Sequence, residues 1–177
     1  MNPPETIETA RLLLRPVTKD DAPAIFEKYG QDTDVGRYLS WSPHKKIEDT
    51  HAYLTRCVNS WNERSSFPWA LIRKEDNEFT GMLEASVDKH KMNLGYVLAQ
   101  SEWGKGYMPE AVRAVIDWAM TENDIYRIWA VCDIENTASA RVMEKVGMER
   151  EGVLRRWLRH PNISDEPRDC YCYSIVK

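Results

Sequence analysis

The most informative part of the sequence is Leu94-Gly-Tyr-Val-Leu-Ala-Gln-Ser-Glu-Trp-Gly-Lys-Gly-Tyr-Met-Pro-Glu-Ala111. It predicts a short apolar strand, a turn that contains Gly104 and Gly106, and a helix that Pro109 opens. A strand that passes through a glycine turn into a helix directs backbone N–H groups and the positive end of the helix dipole to one point. The stretch therefore predicts a binding site for an anion, most often a phosphate.

Two common nucleotide-binding motifs resemble this turn, but neither is complete. A dinucleotide-binding motif needs a third glycine where this chain has Pro109, and no Gly-Lys-Ser/Thr phosphate loop is present. The preceding strands have the pattern of antiparallel hairpins, whereas a dinucleotide fold would open with this strand–helix–strand unit. A lone Gly-x-Gly turn is a weak signal, since it also serves simply to let a strand pass tightly into a helix.

Composition narrows the class of protein. The 177 residues are 42% hydrophobic and 29% charged, which predicts one globular domain over residues 1–177. The formal charge of −4 disfavours nucleic acid as the main partner. Since neither a membrane-length apolar run nor a signal sequence is evident, we expect a cytoplasmic protein without a membrane partner. The four cysteines form no CxxC pair, so we expect reduced thiols and no metal site.

Hydrophobic periodicity predicts the order of the elements. The predicted strands cover residues 9–17, 67–73, 78–87, 93–99, 126–133, 152–160 and 169–175. The predicted helices cover residues 22–29, 47–63, 109–123 and 136–146. This order predicts an α+β or mixed α/β fold whose sheet holds the glycine turn near its middle.

The second half of the chain carries two motifs in a fixed order, Trp103-Gly-Lys-Gly-Tyr107 and Glu135-Asn-Thr-Ala-Ser139. With them, the chain resembles the GNAT acyltransferases, specifically the Rim-type branch that includes N-terminal acetyltransferases of ribosomal proteins. The resemblance extends from Thr9 to Tyr173. It implies the GNAT fold, a mostly antiparallel sheet splayed at the acetyl-CoA strand with helices on both faces. It also implies acetyl-CoA as donor, a protein N-terminus or small amine as acceptor, and a monomer or homodimer.

The resemblance also implies the donor site. The CoA pyrophosphate would lie on the glycine turn, and the pantetheine arm would lie beside the preceding strand, where a backbone N–H polarises the thioester carbonyl. Family members usually carry Gln or Arg where this chain has Ser101, so one side-chain contact is absent. The implied contacts are Val97, Leu98, Ala99, Trp103, Gly104, Lys105, Gly106, Tyr107, Met108, Asn136 and Ser139.

Asn136 and Ser139 each allow a second interpretation. Asn136 matches a family asparagine that bonds pantetheine, but an asparagine here also suits a helix N-cap. Many family members protonate the departing thiolate with a tyrosine on this helix, and this chain has Met143 at that place. Ser139 is therefore the candidate general acid; the alternative is an ordinary first-turn serine.

The acceptor side is predicted from side-chain chemistry. An amine must lose a proton before it attacks a thioester, and Glu84 lies mid-strand beside the predicted active-site strand. We predict Glu84 as the base, directly or through a water, with a buried arginine pair as the alternative. The rival carboxylate, Glu110, is better explained by the helix dipole. Tyr38 and Trp41 are candidate acceptor-binding residues, with core packing as the alternative.

The sequence also fits a second class of function. A non-catalytic CoA-binding or sensor module would keep the glycine turn and lack the acid or the base. Met143 and Ser101 are the residues that favour it.

Overall fold

The computed structural model describes residues 3–177. Its strands are β1 (Ile7–Glu8), β2 (Leu12–Pro16), β3 (Ser66–Arg73), β4 (Glu78–Asp88), β5 (Lys91–Leu98), β6 (Arg127–Asp133), β7 (Glu149–Leu158) and β8 (Arg168–Val176). They form one eight-stranded sheet in the order β1-β2-β3-β4-β5-β6-β8-β7. Every neighbouring pair is antiparallel except β5 and β6. The prediction of a mostly antiparallel sheet is confirmed.

The helices are α1 (Ala22–Ile25), α2 (Thr33–Gly36), α3 (Ile47–Asn62), α4 (Tyr107–Ala119) and α5 (Thr137–Lys145). A π-helical turn over Phe26–Gly30 extends α1, and 3-10 turns cover Lys19–Asp21 and Gln100–Glu102. Within residues 3–177, no helix has both the length and the apolar character needed to cross a membrane.

Two hydrophobic cores lie on opposite faces of the sheet. One packs under α4 and α5 and includes Val112 and Met143, while the other packs under α1 and α3 and includes Ile25 and Leu54. The first also holds Trp69, which is fully buried against Trp61 and Trp118. The expected helices on both faces are therefore confirmed.

The sheet opens between β5 and β6. These two strands pair in parallel over three positions only, from Lys91 opposite Arg127 to Asn93 opposite Trp129. Beyond Asn93, β5 stays paired with β4 but has no strand partner on its other side among the described residues. The gap leaves backbone hydrogen-bonding groups of β5 free on one edge, and the predicted splayed sheet is confirmed.

Several predicted boundaries differ from the structure by a few residues, and two of them lie next to the glycine turn. Helix α4 begins at Tyr107, not at Pro109, because Gly106 ends the turn in the left-handed region at φ 83°. Proline at the third position is tolerated because the N–H groups of a first helical turn have no partner within the helix. The predicted first strand, residues 9–17, is confirmed over β2 but begins later, because residues 9–11 form the turn that joins it to β1. The Thr9 N–H bond to the Leu12 carbonyl at 2.9 Å closes this turn.

Candidate active site

The glycine turn before α4 presents a row of free backbone donors. Gly104 and Gly106 have φ of 77° and 83°, a conformation that favours glycine. Among residues 3–177, no acceptor bonds the N–H groups of 104–108 (Pro109, next in the helix, has no N–H), whereas the N–H of Trp103 bonds the Gln100 carbonyl. Five free N–H groups at a helix start suit a diphosphate oxygen cluster.

Arg11 and Glu110 hold this turn against the β1–β2 hairpin. The Arg11 guanidinium donates to the Glu110 carboxylate at 2.7 Å and to the Lys105 carbonyl at 2.9 Å. Thr9 Oγ1 donates to the same carboxylate at 2.6 Å. Burial opposes the charged form, but the bonds from Thr9 and Arg11 outweigh it and lower the pKa of Glu110. These bonds commit Glu110 to structure, which agrees with rejecting it as the base.

Two further side chains fix the segment between β5 and the turn. The Trp103 indole Nε1 donates to the Leu98 carbonyl at 2.9 Å. Lys105 Nζ turns back to the buried Glu102 carboxylate at 3.1 Å, and Arg73 binds that carboxylate at 2.8 Å. The Lys105 backbone therefore faces the anion site while its ammonium group is paired elsewhere.

The free edge of β5 has a defined set of donors. The Ala99 N–H bonds the Thr80 carbonyl on β4 at 2.9 Å. Because alternate residues of an antiparallel strand bond to opposite sides, the N–H groups of Leu98 and Tyr96 point into the gap, and that of Val97 points to β4. Leu98 thus presents the N–H that suits a thioester carbonyl or an amide of a pantetheine arm.

A cleft of about 650 Å³ joins the gap to the glycine turn. Its walls come from segments 34–39, 96–98, 100–109 and 136–145. The predicted site residues that line it are Tyr38, Val97, Leu98, Trp103, Gly104, Gly106, Tyr107, Met108, Asn136 and Ser139. The predicted residues that do not line it are Trp41, Glu84, Ala99 and Lys105.

The start of α5 places Ser139 at the cleft. Asn136 caps the helix, since its Oδ1 accepts the Ser139 N–H at 3.1 Å. The Tyr96 hydroxyl lies 2.8 Å from Ser139 Oγ. Met143 is fully buried in the core and does not face the cleft. Sequence reasoning missed Tyr96, because only the fold brings this strand tyrosine to Ser139.

Glu84 lies on the opposite face of the sheet from Tyr96. It pairs across β4 and β5 with Gly95, whose surface is exposed and has no atom within 4 Å of the position of an added Cβ. Within the described chain, the half-buried Glu84 carboxylate makes neither a hydrogen bond nor an ion pair, so the alternative arginine pair is not found. An unpaired carboxylate thus lies beside the exposed surface at Gly95.

Tyr38 and Trp41 have different positions. Tyr38 lines the cleft and packs edge-on against His160, with ring centroids 6.3 Å apart. Trp41 lies outside it and packs on His44 at 5.1 Å. Asn162 Nδ2 donates to the Gly36 and Trp41 carbonyls at 2.7 and 2.8 Å, which holds Trp41 in that position.

The described residues offer neither a metal-binding cluster nor a reactive cysteine. No group of three or more His, Cys, Asp or Glu side chains is placed to hold a metal ion there. All four cysteines are free and buried. Burial raises the pKa of Cys132 to about 12, so its thiol is a poor nucleophile at neutral pH.

Comparison with known proteins agrees with this geometry. The family described as acetyltransferase (GNAT) domain matches residues 11–149. The uncharacterized N-acetyltransferase YoaA of Bacillus subtilis (strain 168) is 31% identical over 97% of this chain and 96% of its own length. The [ribosomal protein uS5]-alanine N-acetyltransferase of Escherichia coli (strain K12) is 26% identical over 88% of this chain and 84% of its own.

A solved structure shares the fold. Microcin C7 self immunity acetyltransferase MccE, in complex with acetyl-CoA and AMP, superposes with a TM-score of 0.88 over 99% of this chain and 98% of its own. At 19% identity this likeness shows the fold alone. The match to the family model covers most of the chain, and the relatives named above include an acetyltransferase of a ribosomal protein. The chain therefore belongs to the GNAT acetyltransferase family.

Proposed function

We propose that this chain transfers an acetyl group from acetyl-CoA to a primary amine, either a protein N-terminus or a small molecule. The observation that carries the proposal is the continuity of the cleft. It connects the five free N–H groups at the start of α4, the open edge of β5 and the Ser139 hydroxyl.

The donor fits this arrangement in order along its length. The pyrophosphate binds the N–H groups of 104–108, and the pantetheine arm adds to the open edge of β5. The thioester carbonyl then meets the Leu98 N–H, which stabilises the negative charge that develops on its oxygen. Asn136 Nδ2 remains available to a pantetheine amide, because only Oδ1 serves the helix cap.

The acceptor reaches the thioester from the other face of the sheet, past the exposed Gly95. Glu84 takes a proton from the ammonium group, directly or through a water. The amine nitrogen attacks the carbonyl carbon and gives up its second proton to water. The C–S bond breaks, and Ser139 Oγ gives its proton to the sulfur. Direct transfer is favoured over an acetylated cysteine because the Cys132 thiol stays protonated.

The activity is tested by measuring free thiol released from acetyl-CoA in the presence of different amines. Peptides with a free N-terminal alanine or serine, free amino acids and a polyamine serve as acceptors. The same peptides with a blocked N-terminus are the matched control. We expect release with at least one free amine and none with the blocked peptides.

Two outcomes contradict the proposal in different ways. Binding of CoA in calorimetry without turnover on any acceptor supports a CoA-binding module instead. Failure to bind CoA rejects both functions.

A further inference from the structure

Tyr96 and Ser139 form a pair of hydroxyl groups that joins β5 to α5. Their oxygen atoms are 2.8 Å apart, and the Tyr96 hydroxyl also lies 3.2 Å from the Ser139 backbone carbonyl. Both residues line the cleft. The pair sits where the open edge of β5 faces the first turn of α5.

The chemistry of the two groups assigns them different roles. A serine hydroxyl is a much weaker acid than a thiol, so an unassisted serine is a poor proton donor to a departing thiolate. A donor that bonds to the serine oxygen stabilises the negative charge that forms when the proton leaves. Burial raises the pKa of Tyr96 well above its usual value, so the phenol keeps its proton at neutral pH and acts as a donor.

The backbone fixes the serine for this role. The Ser139 N–H bonds Asn136 Oδ1 at 3.1 Å, which restrains the start of the helix. Tyr96 has one hydroxyl hydrogen, and Ser139 Oγ at 2.8 Å is a nearer acceptor for it than the Ser139 carbonyl at 3.2 Å. When Tyr96 donates to Ser139 Oγ, the serine keeps its own hydrogen to donate to the sulfur. The buried Met143 has no proton to offer in place of the pair.

We infer that Tyr96 is a positioning residue for the acid step, acting through Ser139; the inference rests on the proposed acetyl transfer. As the C–S bond breaks, the sulfur keeps the electron pair and receives the Ser139 proton. The Tyr96 O–H stabilises the charge on the serine oxygen until a water in the open cleft returns a proton to it. Tyr96 itself is neither oxidised, acylated nor consumed.

The test is a double-mutant cycle with Tyr96→Phe and Ser139→Ala, measured as thiol release. Tyr96→Phe keeps the ring and removes one oxygen. We expect kcat to fall about 10- to 100-fold, as for loss of a hydrogen bond to a charged group, while KM for acetyl-CoA stays within about twofold. In the double variant we expect no further loss beyond Ser139→Ala, because the two residues act as a unit.

Tyr171→Phe is the matched control, since Tyr171 lies on β8 outside the cleft lining and should leave kcat unchanged. Thermal unfolding of each variant checks that the fold is retained. If the wild type releases thiol and Tyr96→Phe does so at the same kcat, this inference alone is wrong. The same holds if the two single losses multiply in the double variant. If the wild type releases no thiol, the proposed function and this inference fail together.

Discussion

Arg11 and Glu110 are 99 positions apart in the sequence and are joined by two hydrogen bonds: the Arg11 Nε lies 2.7 Å from Oε2, and the Arg11 N–H lies 2.8 Å from Oε1. Because Arg11 also binds the Lys105 carbonyl, this pair sets the position of the glycine turn relative to α4. It lies behind the free N–H groups and not in the cleft lining.

We therefore expect Arg11→Ala to weaken binding of acetyl-CoA and to leave the rate of the acetyl transfer step nearly unchanged. Loss of the guanidinium bonds to Glu110 and to the Lys105 carbonyl predicts a rise of about tenfold or more in KM for acetyl-CoA with little change in kcat. Lys28→Ala is the control, because it removes a surface ion pair with Glu78 away from the turn. An unchanged KM in initial-rate measurements would show that the turn holds its shape without Arg11.

The second prediction concerns the left-handed backbone of Gly106. An alanine there adopts φ near 83° at a cost of about 1–2 kcal/mol, and its Cβ lies 3.4 Å from Arg11 Nη2. We expect Gly106→Ala to lower both the free energy of unfolding and the affinity for CoA. Gly152→Ala is the matched control for Gly106→Ala, since the φ of Gly152 is not positive and no atom lies within 4 Å of its added Cβ. Equal stabilities of the two variants in denaturant unfolding would contradict this account.

The third prediction tests Glu84 as the base. Glu84→Gln keeps the size of the side chain and removes its basicity, so we expect kcat to fall about 100-fold or more with similar KM values. Glu78→Gln, on the same strand and exposed, is the control and should be neutral. The comparison is made at saturating amine. Turnover of Glu84→Gln at the wild-type rate would remove Glu84 from the mechanism.

The fourth prediction separates direct transfer from an acetylated enzyme. With the pKa of Cys132 raised to about 12 by burial, the protein incubated with acetyl-CoA alone should keep its mass. Cys132→Ala should then turn over like Cys57→Ala, a buried cysteine on α3. Intact-mass spectrometry that finds one added acetyl group on Cys132 would favour the two-step route.

The fifth prediction uses the fully buried Asp133. Burial opposes its charge, but the bonds from Arg168 at 2.6 and 3.2 Å and from the Glu135 N–H outweigh burial and lower the pKa of Asp133. A lowered folded-state pKa means that this stabilisation is present above the unfolded value of about 4 and is lost as pH falls below it. The contribution of Asp133 to the free energy of unfolding should therefore decrease as the pH falls below about 4.

Denaturant unfolding of wild type and Asp133→Asn from pH 7 to pH 3 measures this decline. We expect a difference in unfolding free energy of about 3 kcal/mol at pH 7, as for removal of one member of a buried pair. The difference should narrow below pH 4. Asp165→Asn, at an exposed position, should differ little from wild type throughout. A difference in unfolding free energy that stays constant with pH would mean that packing, and not charge, explains the lower stability of Asp133→Asn.

Local features of the site followed from the sequence. Gly104 and Gly106 were expected to form a tight turn, and both have the positive φ that such a turn requires. A helix cap was one of the two interpretations of Asn136, and it caps α5 through the Ser139 N–H. These features depend on residues within a few positions of one another, so sequence order is sufficient to predict them.

Other features depended on contacts between distant segments. No local pattern distinguishes Tyr96 from other strand tyrosines, yet the fold brings it to Ser139, 43 positions away. Trp41 was a candidate acceptor-binding residue because aromatic side chains often line pockets. In the structure Asn162 bonds the Trp41 carbonyl and holds its backbone outside the cleft.

The sequence by itself determined the order of the longer elements, the glycine turn, the cap of α5 and the family resemblance, but not the short β1 and α2. It did so because periodicity, turn chemistry and capping act over short distances along the chain. Only the tertiary structure decided which groups meet at the gap between β5 and β6: Tyr96 with Ser139 on one face, and Glu84 beside the exposed Gly95 on the other. The physical reason is that the register of the strands and their opening after Asn93 set these positions, and both result from packing of the whole sheet against its helices.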